Sequence, residues 1–187
     1  SFGATGNAEF GYVGGGKTPS SVSSVERIDY FNDTAATAPK GPLSAGRYNV
    51  TATGNQNFGY FGGGSHPVVS TVDRVDYSND TVTAVAKGPL SAGKRYHAAT
   101  GNADFGYFGG GYSSSTSATT STVDRIDYSN DTATAVAKGP LGTARERMGA
   151  TGNTSFGYFA GGQPSNSSAN RVDYSNDTAT AAVRGPL

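Results

Sequence analysis

Cysteine and tryptophan are absent from this 187-residue sequence, methionine occurs once and histidine twice. Without cysteine there is no disulfide, no thiolate metal site and no cysteine nucleophile. The two histidines, His66 and His97, fall in different elements and make a poor metal pair, so no metal, cofactor or catalytic residue is expected. An excess of charge of either sign is also missing: Lys+Arg and Asp+Glu both number 14. A general nucleic-acid binder needs basic residues to displace counterions, so nucleic acid is not an expected partner. No apolar run approaches the roughly 20 residues of a membrane-spanning helix, and membrane insertion is not expected. The opening SFGATGNAEF lacks a basic segment followed by an apolar one, so a signal peptide is not expected either. No stretch carries a helical period over 11 or more residues.

What the chain does have is glycine, 28 residues of it, and a repeat. TGN recurs at Thr5, Thr53, Thr100 and Thr151, and NDT at Asn32, Asn79, Asn130 and Asn176. GPL recurs at Gly41, Gly88, Gly139 and Gly185. Four units of about 47 residues follow, spanning 1–43, 44–90, 91–141 and 142–187 in one domain. Length varies only between each GGG or AGG and the next DY, which marks a surface loop. Each unit reads as four short strands. A small-residue strand such as YNVTATG meets a Gly-Asn turn, then FGYFGG with aromatics on both faces. After the loop comes VDRVDY, then an SNDT turn and a last strand such as ATAVAKG.

Four-stranded units at this period predict an all-β propeller. Gly3, Thr51, Ala98 and Gly149, with Ala4, Ala52, Ala99 and Ala150, are small enough for crowded innermost strands. The whole chain resembles the kelch-repeat family. The glycine doublets Gly15–Gly16, Gly63–Gly64, Gly110–Gly111 and Gly161–Gly162 carry the likeness. So do Tyr30, Tyr77, Tyr128 and Tyr174, and the basic residues Arg47, Lys94 and Arg145. That family's tryptophan is replaced by Thr37, Ala84, Ala135 and Ala181, so packing between blades differs. The uniform repeats also look like kelch-like proteins of marine bacteriophages and uncultured microbes. Such a resemblance implies a closed four-bladed ring, half of an eight-bladed ring made by two chains, or part of a longer array.

Chemistry is harder to find. The glycines follow a strand and open no helix, which argues against a phosphate loop; GGGKT at Gly14–Thr18 lacks both the earlier glycine and the helix. The Asp–Arg pairs Asp73–Arg74 and Asp124–Arg125, with Glu26–Arg27, recur in three of the four units, where a catalytic centre would rarely be copied. Ion pairing between blades is the expected role. His97 is expected to pack near the axis. In a propeller the variable loops share one face with the links between blades. That face would gather Arg47, Tyr48, His66, Lys94, Arg95, Tyr96, Tyr112, Arg145 and Arg147 as candidate binding residues. The basic members have a competing role, bonding neighbouring backbone carbonyls, of about equal weight. The expected function is therefore a non-enzymatic structural or binding propeller, on a virion or extracellular surface, recognising a protein or glycan. A lectin and a propeller glycoside hydrolase or lyase are the alternatives, and a homo-oligomer is among the assemblies the repeat allows.

Overall fold

The computed structural model describes residues 1–164 and 166–187. It is all-β, built on four four-stranded antiparallel sheets, each a simple meander in chain order. The first unit comprises Gly3–Gly6, Phe10–Gly14, Val25–Asp29 and Ala38–Lys40. The second comprises Thr51–Gly54, Phe58–Gly62, Val72–Asp76 and Val85–Lys87. Ala98–Gly101, Phe105–Gly109, Val123–Asp127 and Val136–Lys138 form the third. Gly149–Gly152, Phe156–Ala160, Ser168–Asp173 and Ala182–Pro186 form the fourth.

Side chains close the turns that the sequence marks. In the TGN hairpins Asn7, Asn55, Asn102 and Asn153 each accept two backbone N–H bonds from the next residues along. The SNDT turns take the form of single 3-10 turns at Tyr77–Asn79, Tyr128–Asn130 and Tyr174–Asn176, capped by the preceding aspartate. Fourth strands are shorter than the sequence suggested: Ala35, Ala133 and Ala179 fold back on the turn by bonding Asn32, Asn130 and Asn176, and Ala84, Ala135 and Ala181 donate to a proline carbonyl of the preceding unit.

Three near-identical interfaces join successive sheets. Inner strands run side by side, and a Cβ on Gly3 would lie 3.1 Å from the Thr51 backbone. On one face, Phe61, Phe108 and Phe159 are 0% exposed. They press on Gly14, Gly62 and Gly109 of the preceding unit, where a Cβ would come within 2.6–2.8 Å of the ring. On the other, Tyr12, Tyr60 and Tyr107 stack on Tyr77, Tyr128 and Tyr174 of the following unit, with ring centroids 4.6–4.7 Å apart.

A carboxylate sits at the centre of each interface. Asp80 accepts from the Tyr12 hydroxyl at 2.8 Å and pairs with Arg27 at 2.9 Å and Lys40 at 3.1 Å. Asp131 repeats this with Tyr60, Arg74 and Lys87, and Asp177 with Tyr107, Arg125 and Lys138. Burial pushes the Asp80 carboxyl up, but the Tyr12 and Lys40 hydrogen bonds and the two cations outweigh it and hold it below the usual range. The expected pairing between units is therefore present for the arginines, with a correction. Their partner is the turn aspartate of the next unit, while Asp73 and Asp124 of the third strands pair with Arg47 and Lys94 of their own unit's entry segment.

The four sheets stack in series. Among the described residues no comparable contact joins the inner strands of the first and fourth units. The outer faces of the end units are correspondingly exposed: Phe2 is 63% and Leu187 77% accessible, against 2% for Leu43, Leu90 and Leu141.

Candidate functional site

Links between units lie against the variable loops, as the repeat implied. Tyr48 bridges Ser65, and Glu146 bridges Gln163. Lys94–Arg95 pairs with Tyr112–Ser113, which in turn pairs with Ala118–Thr119. The glycine doublets make the bend into these loops: all eight residues have positive φ, from 63° to 123°, which any Cβ would resist.

The nine candidate residues divide in two. Arg47, Lys94 and Arg145 are buried, at 3%, 1% and 1% exposure. Arg47 binds Asp73 at 2.8 Å and donates to the Gly63 and Phe61 carbonyls. Lys94 binds Asp124 at 2.9 Å and the Thr122 carbonyl. Arg145 donates to the Ser168 and Gly161 carbonyls and the Thr143 hydroxyl, and its unit has Asn170 where the second and third have Asp73 and Asp124. Burial alone pushes Arg145 down, and burial pushes Lys94 down against the pull of Asp124. Their charges tie each link to its sheet, in the carbonyl-bonding role the sequence also allowed.

Of the other six, His66 and Arg147 are exposed and Tyr48, Arg95, Tyr96 and Tyr112 half-buried, and they fall in two groups. Arg147 stacks over the Tyr96 ring at 4.3 Å, while Arg95 lies 5.2 Å from Tyr96 and 4.6 Å from Tyr112. Together they form a ladder of alternating guanidinium and aromatic groups. Tyr96 (φ 58°) and Arg147 (φ 59°) hold left-handed backbone, as does Asn49 (φ 56°) at the equivalent place in the second unit. Asparagine tolerates that conformation; tyrosine and arginine adopt it at a cost, and such strain often marks working positions. In the second group His66 lies tilted 5.6 Å from Tyr48, and the Lys17 ammonium sits 5.4 Å above the same ring. Lys17 was not among the candidates, although it follows a glycine doublet at the place Tyr112 holds in the third unit. Glu146, 3.5 Å from Arg147, is the acidic member of the face.

His97 does pack inward, 3% exposed and 5.9 Å from the Phe108 ring. Burial, with the Lys94 charge behind it, pushes its pKa from 6.5 down to about 3. The unfolded chain therefore takes up this proton below the ordinary value while the folded chain does not. Stability contributed by neutral His97 is full above pH 6.5 and falls as the solution is acidified towards about 3. At about pH 4.5 the loss is roughly 3 kcal/mol. His97→Met, matching Met148 in the next unit, is expected to remove this part of the acid sensitivity; urea unfolding of both proteins at neutral pH and about pH 4.5 checks it.

Among the described residues no three His, Asp or Glu side chains converge as a metal site would require, and no helix is long and apolar enough to cross a membrane. No protein-family model matches the chain, and comparison with curated proteins finds no match.

Proposed function

We propose that this chain is a kelch-like β-propeller module without enzymatic activity, whose loop face recognises a glycan bearing acidic groups. The single observation that carries the ligand is the Tyr112–Arg95–Tyr96–Arg147 ladder. Flat aromatic rings suit sugar faces, and guanidinium groups suit carboxylate or sulfate in bidentate geometry. The ladder stands on links and a variable loop whose packing is supplied by Arg47, Lys94 and Arg145, so its own residues are left for contact. A glycoside hydrolase or lyase would need facing carboxylates, and here Glu146 stands among cations. Stacked four-stranded sheets with glycine doublets before the loops support the propeller assignment. A virion or extracellular surface is the setting that suits such a module.

An array of neutral, sialylated and sulfated oligosaccharides tests the reading. Binding is expected to the acidic members, and Arg95→Ala with Arg147→Ala to weaken it about 30-fold while leaving the circular dichroism spectrum and melting temperature unchanged. Silence across the array, or binding indifferent to the double substitution, overturns it.

A further inference from the structure

We propose that the two exposed end faces are mates, and that two copies of this chain join head to tail, at two seams, into one closed ring of eight sheets. The proposal uses the stacking of units and not the loop face, so it and the glycan reading fail independently.

The end units each hold half of an unused interface. Tyr158, Arg171 and Arg184 stand in the fourth unit where Tyr60, Arg74 and Lys87 stand in the second. Arg171 is already positioned over Phe156 at 4.2 Å, as Arg74 is over Phe58 at 4.3 Å. Yet no carboxylate faces these three among the described residues, and Tyr158 is half-buried where its counterparts are 0% exposed. The missing acceptor is present at the other end of the chain. Asp33 is the first unit's equivalent of Asp80, Asp131 and Asp177, which are 6–7% exposed, and it lies in solvent with no ion-pair partner among the described residues. Tyr30, 51% exposed, is the unused counterpart of the tyrosines that stack at every internal interface. Leu187 and Phe2 are likewise the exposed counterparts of Leu43 and Val50, which share one buried cluster.

A size exchange identifies the first unit as the partner. At the three internal interfaces a glycine meets a phenylalanine: Gly14 with Phe61, Gly62 with Phe108, Gly109 with Phe159. The fourth unit has Ala160 in the glycine place, and a Cβ there has no room against a phenylalanine. The first unit has Val13 in the phenylalanine place. Larger meets smaller, so the seam from the fourth unit to a first unit conserves volume where a generic repeat would collide. A seam of this head-to-tail kind is repeated until it closes, and two four-sheet chains reach the eight blades that propellers accommodate.

Gly185 supplies a variant that spares the fold. A Cβ on Gly41, Gly88 or Gly139 would lie 1.8–1.9 Å from a carbonyl oxygen of the next unit, whereas one on Gly185 meets nothing within 4 Å among the described residues. In the paired ring its neighbour would be the Ala35 carbonyl of the second copy. Light scattering of the wild-type chain is expected to give twice the 19.0 kDa of one chain. Gly185→Ala is expected to return it to a single chain with an unchanged strand spectrum, raising the dissociation constant at least ~100-fold. Val13→Phe is expected to do the same through collision with Ala160, and Val13→Phe with Ala160→Gly to restore pairing by rebuilding the internal type of contact. A single-chain mass for the wild type overturns the proposal, whether the ends stay open or close on themselves. Pairing that ignores Gly185→Ala and Val13→Phe overturns it as well, and masses that climb with concentration overturn the closed ring.

Discussion

Gly88→Ala is expected to lower the melting temperature by about 10 °C or more, a cost of roughly 3–5 kcal/mol for one methyl group. A Cβ at this position would lie 1.8 Å from the Ala133 carbonyl oxygen of the next unit. Relief cannot come from a side chain, because the obstacle is backbone. Nor can Gly88 retreat alone: its N–H donates to the Asp131 carbonyl at 2.8 Å, and the Pro89 carbonyl accepts from Ala135 at 2.8 Å. These two bonds stitch the end of one unit to the turn of the next, and moving the backbone by more than an ångström breaks both. Thermal unfolding followed by circular dichroism checks the figure. A shift under about 2 °C would mean that the units are less tightly joined than the geometry shows.

Asp131→Ala is expected to be comparably severe, costing about 3–5 kcal/mol. Removing the carboxylate strands the Tyr60 hydroxyl, which is fully buried, and leaves Arg74 and Lys87 facing each other across the vacancy. Those cations are 24% and 15% exposed, so part of their loss is recovered from water. The tyrosine has no such recourse. Asp131→Asn keeps an acceptor for Tyr60 and is expected to cost about half as much. The same substitution at Asp33 is the informative comparison. Asp33 is exposed and unpaired within the chain, so Asp33→Ala is expected to leave the fold of one chain unchanged. Urea denaturation of the three variants in the Gly185→Ala background, where chains stay single, ranks them, and equal effects at Asp131 and Asp33 there would remove the carboxylate from its central role.

Much of this was readable beforehand, because it is local. Alternating aromatics in FGYFGG, Asn at the hairpins and glycine before the loops act through neighbours two or three residues away, and the strands formed where those signals lay. The SNDT segments do form turns, but the second role of their aspartates was hidden for the opposite reason. Asn79, Asp80 and Thr81 look like turn formers, and nothing nearby shows that Asp80 reaches Tyr12, 68 residues back. The repeat did contain a trace of it, since tyrosine, arginine, a basic residue and that aspartate recur together in every unit. On the candidate face, residue type and topology brought the right segments together but did not separate buried ties from surface groups. Arg47 and Arg95 both belong to a basic link; one spends its charge on Asp73, the other lies over Tyr112.

The sequence by itself determined that the chain is four copies of one four-stranded unit, because strand period and turn chemistry are properties of short segments. It also contained both halves of the end-to-end match, Val13 and Ala160, without indicating that they belong together. Only the tertiary structure decided which charges are consumed, which are presented and which faces lack a neighbour. Those outcomes depend on what one unit places against the next, at separations of 50 residues and more in the chain, where only the folded backbone sets the distance.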